Sequence, residues 1–369
     1  MTTSHIPTRR TIRWIGLLLL LAVLLTGCST QGMLTGSSWP GLTIDGDQVY
    51  IANGSTIYAI DPTNGRETWR FPTETERGLS FYAPPAISED GYVIVGSYSN
   101  VLYGLRNRGS LVDIEWTFDD AKDRYIAAAT IVDDLVLAPN ADGHLYALDL
   151  ETGTTEWIYT ATDGNALWSP PLVIEDRVYL SSLDHELYCI DLSNGDECWK
   201  QDLGGSIPST PAQYEDMLLA GTFGGELFAI SIEDGSILWS IETEGWIWGT
   251  PAVSGTYAFF GDLNGNITAI DLDNRGAEVW RETLNAPITA APIVDETNVY
   301  VISEDGVVNA YVQETGELAW ARESVIEGSL NADAVLVDDT LFIPALGNDC
   351  LLFAVGTEAG SLRCEFQPE

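Results

Sequence analysis

Two histidines, His144 and His185, stand where metal binding or a hydrolytic triad would have to be built. Both open a β-rich segment, in different copies of one repeat, and they are offset by one residue within it. Symmetry-related ligands would share a repeat position, so these two read as polar strand-end residues rather than a metal site or a Ser/His/Asp arrangement. Other chemistries find no foothold. No Gly-x-x-x-x-Gly-Lys loop exists to cradle phosphates. Asp262-Leu263-Asn264-Gly265-Asn266 and Asp271-Leu272-Asp273-Asn274 look faintly like calcium loops, yet they lack the spacing and the terminal Glu, and both fall at expected turns. The expectation is no catalytic residue, no metal and no cofactor.

One constellation of binding-type residues does emerge. Tyr82, Trp168 and Trp248 each precede by three residues a proline (Pro85, Pro171, Pro251) that opens a short β segment. Trp39, Phe81, Tyr125 and Trp246 lie at neighbouring positions of their own repeats. If those segments converge on an axis, the aromatics gather around one mouth of a channel. They would then form a partner-binding surface or plug the mouth.

The elements that must position them repeat along the chain. Leu187-Tyr188-Cys189-Ile190-Asp191 leads through Asn194-Gly195 to Trp199, which reads as strand, Asx/Gly turn and strand. Ile57–Asp61, Leu145–Asp149, Leu227–Ile230 and Ile267–Asp271 each lead likewise to a Gly four residues before a Trp. Trp69, Trp116, Trp157, Trp199, Trp239, Trp280 and Trp320 recur about every 42 residues, a four-stranded propeller-blade period. No helical stripe is sustained after residue 28. The chain is therefore expected to be all-β, an eight-bladed β-propeller of four-stranded antiparallel blades, with seven blades the alternative. Blades are placed at 38–74, 81–119, 124–162, 167–204, 206–244, 246–284, 286–324 and 329–369. The second is irregular, with seven residues between Gly109 and Trp116. In the eighth, Cys364 stands where Trp is expected and Phe366 lies nearby. The repeating tryptophans read as structure, large apolar plates that seal one blade on the next.

The start of the chain reads as an export signal. Arg9, Arg10 and Arg13 precede the apolar run Ile15–Leu25, which ends in Leu25-Thr26-Gly27-Cys28. Residues 1–27 are assigned to a lipoprotein signal peptide, Cys28 to a lipid anchor, and 28–37 to a tether before the propeller at 38–369. Removing 1–27 takes away three arginines and no acid, shifting the formal charge from −39 to −42. Such a surface repels nucleic acid and anionic lipid headgroups, so the membrane is met only through the anchor. Cys189 and Cys198 fall opposite each other if Asp191 and Asp196 close their hairpin, so a disulfide is expected there, with two thiols the alternative. The same register argument does not join Cys350 to Cys364, and that pair stays open.

The best repeats, Val49–Trp69, Val136–Trp157 and Val178–Trp199, carry a pattern of Val-Tyr, Leu-Tyr-Ala-(Ile/Leu)-Asp and Thr/Asn-Gly-x-x-x-Trp. That pattern resembles the pyrroloquinoline-quinone-like (PQQ-like) repeat family over residues 38–369. The resemblance has two branches. One, the quinoprotein dehydrogenases, implies PQQ with calcium on the axis and an adjacent Cys–Cys pair, which is missing here. The other, the BamB-type lipoproteins, is similar in length, blade count and lipobox, and implies a non-catalytic scaffold in outer-membrane protein assembly. The expectation adopted is a monomeric, membrane-anchored, extracytoplasmic docking platform for protein partners. A quinone- or sugar-binding protein with dehydrogenase activity is the second reading.

Overall fold

The computed structural model describes residues 41–46, 48–74, 76–322, 332–345 and 350–367. Residues 1–37, assigned above to a signal peptide, lipid anchor and tether, and Trp39 lie outside them. Eight four-stranded antiparallel sheets follow one another in chain order, each built from four consecutive strands. The eight-bladed propeller is thus established, and the seven-blade alternative is not supported. The only helical element among the described residues is a single 3-10 turn, Thr162–Gly164.

Blade 4 shows why these residues fold this way. Its strands are Leu172–Ile174, Arg177–Ser181, Glu186–Asp191 and Glu197–Asp202. The two middle strands are buried on both faces, with Val178, Tyr179, Leu180, Leu187, Tyr188, Cys189 and Ile190 all inaccessible. β-branched and aromatic side chains suit such a doubly covered surface. The outer strand alternates exposed and half-buried residues, as a peripheral edge should. At the turn between them, the Asp191 carboxylate accepts from Ser193 N (2.9 Å) and Ser193 Oγ (2.6 Å). Gly195 takes the left-handed conformation at φ 76° and donates its N–H to Asp191 O.

Each blade carries one bulge in its outer strand. In the first seven blades the bulge sits just before the Trp, leaving the Trp opposite a small residue such as Ala59, Gly104, Ala147 or Ala229. In blade 4 that small residue is Cys189, which faces Trp199. Cys198 is the extra residue of the bulge. The expected Cys189–Cys198 disulfide is therefore corrected: both are free thiols, Cys189 buried and Cys198 exposed. Uniform register would have opposed them, but the bulge moves Cys198 out of the ladder, and Cys189 fills the site of an alanine. The disulfide joins Cys350 to Cys364 instead, with Cα atoms 5.9 Å apart. Cys350 precedes its strand, Leu352–Gly356, so strand register does not govern it.

The core lies between blades. Leu137, Leu145, Ala147 and Trp157 of blade 3 pack against Val178, Leu180, Tyr188 and Ile190 of blade 4. At the ring closure Leu42, Val49, Ile51 and Ile60 of blade 1 meet Phe342, Leu352 and Phe366 of blade 8. There Phe366 covers Tyr58, with ring centroids 5.3 Å apart. The aromatic that seals blade 8 is Phe366, two residues beyond the Trp position.

Candidate binding site on the propeller axis

The described residues that lead into the blades' first strands pass close to the axis. Tyr82, Trp168 and Trp248 lie on these connections in blades 2, 4 and 6, and all three line one axial cavity of about 260 Å³. Its wall also includes Tyr98, Ile126, Pro208 and Thr289, together with Gly41, Pro84, Ala128, Pro170, Thr210, Thr250 and Asp333. Small and proline residues let eight chain segments approach the axis. Inter-blade bonds brace them: Thr43 Oγ1 donates to Pro85 O at 2.6 Å, Thr130 Oγ1 to Pro171 O at 2.9 Å, and Thr210 Oγ1 to Pro170 O at 2.7 Å.

The aromatics form two groups. Trp168 and Trp248 stand 6.4 Å apart, Phe223 lies 5.1 Å from Trp248, and Trp246 stacks on Phe223 at 5.4 Å. This ladder runs from the cavity to the surface, where Trp246 is 54% exposed. Tyr82 meets Tyr98 edge-on at 4.8 Å. Two members of the expected cluster are elsewhere. Phe81 is fully buried, packed among Phe71 and Tyr103. Tyr125 is also buried, its Cβ lodged where Gly96 has no side chain. Both belong to the core, because the residue beside an axial one alternates inward between blades.

Asp333 is the residue the sequence reading missed. It stands at the same repeat position as Thr210, Thr250 and Pro170, so a carboxylate occupies one of the axial positions held elsewhere by uncharged residues. Its side chain is exposed toward the cavity, with protein atoms crowded around the carboxylate. That crowding desolvates the carboxyl group and raises its pKa, and a hydrogen bond from Ala291 N to Oδ1 (2.7 Å) partly offsets this. Alignment of the blade starts, rather than any local motif, would have singled it out.

The other candidates are engaged in local contacts and turns. His144 Nδ1 lies 3.1 Å from Asp142 Oδ1 and its ring stacks on Tyr146, whose hydroxyl donates to Asp142 Oδ2 at 2.7 Å. His185 sits in a turn of the next blade at φ 79°. The Asp262 carboxylate accepts from Asn264 N (2.9 Å), Asn266 N (3.0 Å), Asn266 Nδ2 (2.9 Å) and Gly245 N (3.2 Å), so it organises a turn. The axial cavity also suits PQQ poorly. A tricarboxylate held by calcium needs cationic partners and several oxygen ligands. Among the described residues the cavity lining offers one carboxylate and no Lys, Arg or His.

The repeating tryptophans lie at the seams between blades. Indole Nε1 donates across to the next blade from Trp116 to Leu150 O (2.8 Å), Trp157 to Leu192 O (3.1 Å), Trp199 to Ile232 O (3.2 Å), Trp280 to Gln313 O (2.7 Å) and Trp320 to Thr357 O (2.6 Å). Trp239 lies against Gly276. Trp69 is buried without a partner for Nε1 among the described residues. It faces blade 2, whose turn glycine is displaced to position 109.

A family model described as outer membrane protein assembly factor BamB matches residues 53–172, 160–274 and 241–365. Among solved structures, BamB from Moraxella catarrhalis superposes with a TM-score of 0.71 at 18% identity, covering 82% of this chain and 92% of that one. The computationally designed Ika8 protein reaches 0.71 at 14% identity, covering 88% and 95%. No curated protein sequence matches significantly.

Proposed function

Because the chain belongs to the BamB family of PQQ-like propellers, we propose that it is a non-catalytic scaffold that docks a protein partner outside the cytoplasm. The observation that carries this reading is the aromatic ladder Trp168–Trp248–Phe223–Trp246, which ends in a half-exposed indole on the axial face. Exposed aromatic clusters are typical anchors for a partner. The formal charge of −39 selects a partner with a basic surface. Lipidation of Cys28 after removal of residues 1–27 would hold the scaffold at a membrane. A Cys28→Ala variant should lose fatty-acid label and membrane association.

The docking reading is tested by in-cell crosslinking of the tagged full-length protein, with mass spectrometry of what is captured. A stoichiometric partner, lost in a Trp168→Ala/Trp248→Ala double variant that keeps its circular dichroism and melting temperature, supports it. Unchanged capture by the double variant, or no partner for the parent, overturns it.

A further inference from the structure

We propose that the axial cavity binds a small organic ammonium ion. Three features of the cavity converge on that chemistry. Its wall is aromatic, with Trp168 and Trp248 from blades 4 and 6 and Tyr82 from blade 2, while the neighbouring Tyr98 ring is already covered by the Arg124 guanidinium at 5.5 Å. Indole and phenol rings attract a cation through their quadrupoles, and more strongly where water is excluded. Among the described lining residues one side chain is charged, Asp333 on blade 8, across the ring from Trp168 on blade 4. None of the described lining residues is basic. Asp333 is held in place by the Ala291 N–H (2.7 Å), which engages Oδ1. Its carboxylate is therefore fixed, reachable and short of countercharge.

Size and field agree. A volume of about 260 Å³ approaches the lower end of ligand-pocket volumes, about 300–1,000 Å³. It suits a small amine rather than a nucleotide or a peptide. The surrounding protein carries 55 acidic and 16 basic residues, so its field draws cations toward a cleft of low dielectric. A neutral sugar could donate hydroxyl hydrogen bonds to Asp333 but would leave its charge uncompensated, and an anion would be repelled by it.

This inference stands apart from the docking reading, since it concerns purified protein without a partner. The test is a tryptophan-fluorescence titration of the detergent-purified full-length protein with choline and with its neutral isostere, 3,3-dimethylbutan-1-ol. Choline should quench saturably, and the neutral alcohol should bind at least tenfold more weakly. Asp333→Asn keeps an acceptor for Ala291 N–H and should lose tenfold or more in choline affinity, while Asp333→Glu, which keeps the charge, should lose less. Circular dichroism checks that the variants fold. Equal affinity for choline and the alcohol, no saturable binding of choline, or an unchanged affinity in folded Asp333→Asn would each overturn the proposal. If Asp333→Asn does not fold, the comparison of choline with its isostere on the parent protein decides.

Discussion

Trp157 lies not against Gly153 of its own hairpin but against Gly195 of the following blade, and Gly153 in turn receives Trp116. The constant four-residue spacing of Gly and Trp therefore records two interfaces at once. Each hairpin's Trp seals the next blade, and its Gly accepts the Trp of the one before. A Cβ on Gly195 would come within 2.7 Å of the Trp157 ring, at a φ of 76°.

Gly195→Ala should consequently destabilise the propeller by about 1–3 kcal/mol through overpacking, plus about 1 kcal/mol for the left-handed backbone. Gly109→Ala supplies the control. Its φ is 86° but nothing lies within 4 Å of the added methyl, so only the backbone cost of about 1 kcal/mol applies. Urea unfolding of the two variants separates the costs; equal losses would show that the Trp157 ring does not require the glycine.

The cysteines make a second prediction. Denatured, unreduced protein should take up alkylating agent at Cys189 and Cys198 and not at Cys350 or Cys364. In the native state Cys198 should react first, because Cys189 is buried, which also pushes its thiol pKa up. Reduction should then lower stability by about 3 kcal/mol, the loop-closure entropy of a cross-link this short, given the separation of 14 residues. The loss should centre on the blade 8–blade 1 seam, where Phe366 covers Tyr58. Peptide mapping that finds Cys189 joined to Cys198 would contradict the bulged register.

At low pH the turn carboxylates become the sensitive groups. Asp149 is held below the usual aspartate range chiefly by the Thr152 hydroxyl (2.6 Å) and also by the Thr152 N–H (2.8 Å). A depressed folded-state pKa contributes stability above the unfolded value of about 3.9, and that contribution is lost as pH falls through the folded value. Thr152→Ala should raise the Asp149 titration midpoint seen by carboxyl-carbon NMR. The stability gap between parent and variant, present at pH 7, should close below about pH 4. A midpoint that does not move would assign the shift to the backbone alone.

What the sequence made legible follows from periodicity. Trp and Gly recur at fixed spacing because every blade repeats one interface, so blade number, strand order and the irregular second blade could all be read. The bulge could not, since an extra residue in the outer strand leaves the Gly–Trp spacing intact while it displaces Cys198 from Cys189. For the same reason Phe81 and Tyr82 looked equivalent, although one faces the core and its neighbour the cavity. Asp333 carries no local motif and becomes visible only when blade starts are aligned in space.

That division between neighbours can be tested directly. Phe81 is fully buried between Phe71 and Tyr103, so Phe81→Ala should cost about 3–5 kcal/mol of stability. Trp246 is 54% exposed and rests on Phe223 through one stacked contact, so Trp246→Ala should stay within about 0.5–1.5 kcal/mol of the parent, the range of one aromatic pair. Partner capture should respond in the opposite order. Trp246→Ala removes the exposed end of the ladder and should weaken capture from a stable fold, whereas folded Phe81→Ala protein should capture normally. Thermal denaturation and crosslinking yield, measured on the same two variants, separate the roles. If Trp246→Ala captures as well as the parent while Trp168→Ala/Trp248→Ala does not, the docking surface is confined to the cavity mouth and the outer indole only shields Phe223 from water.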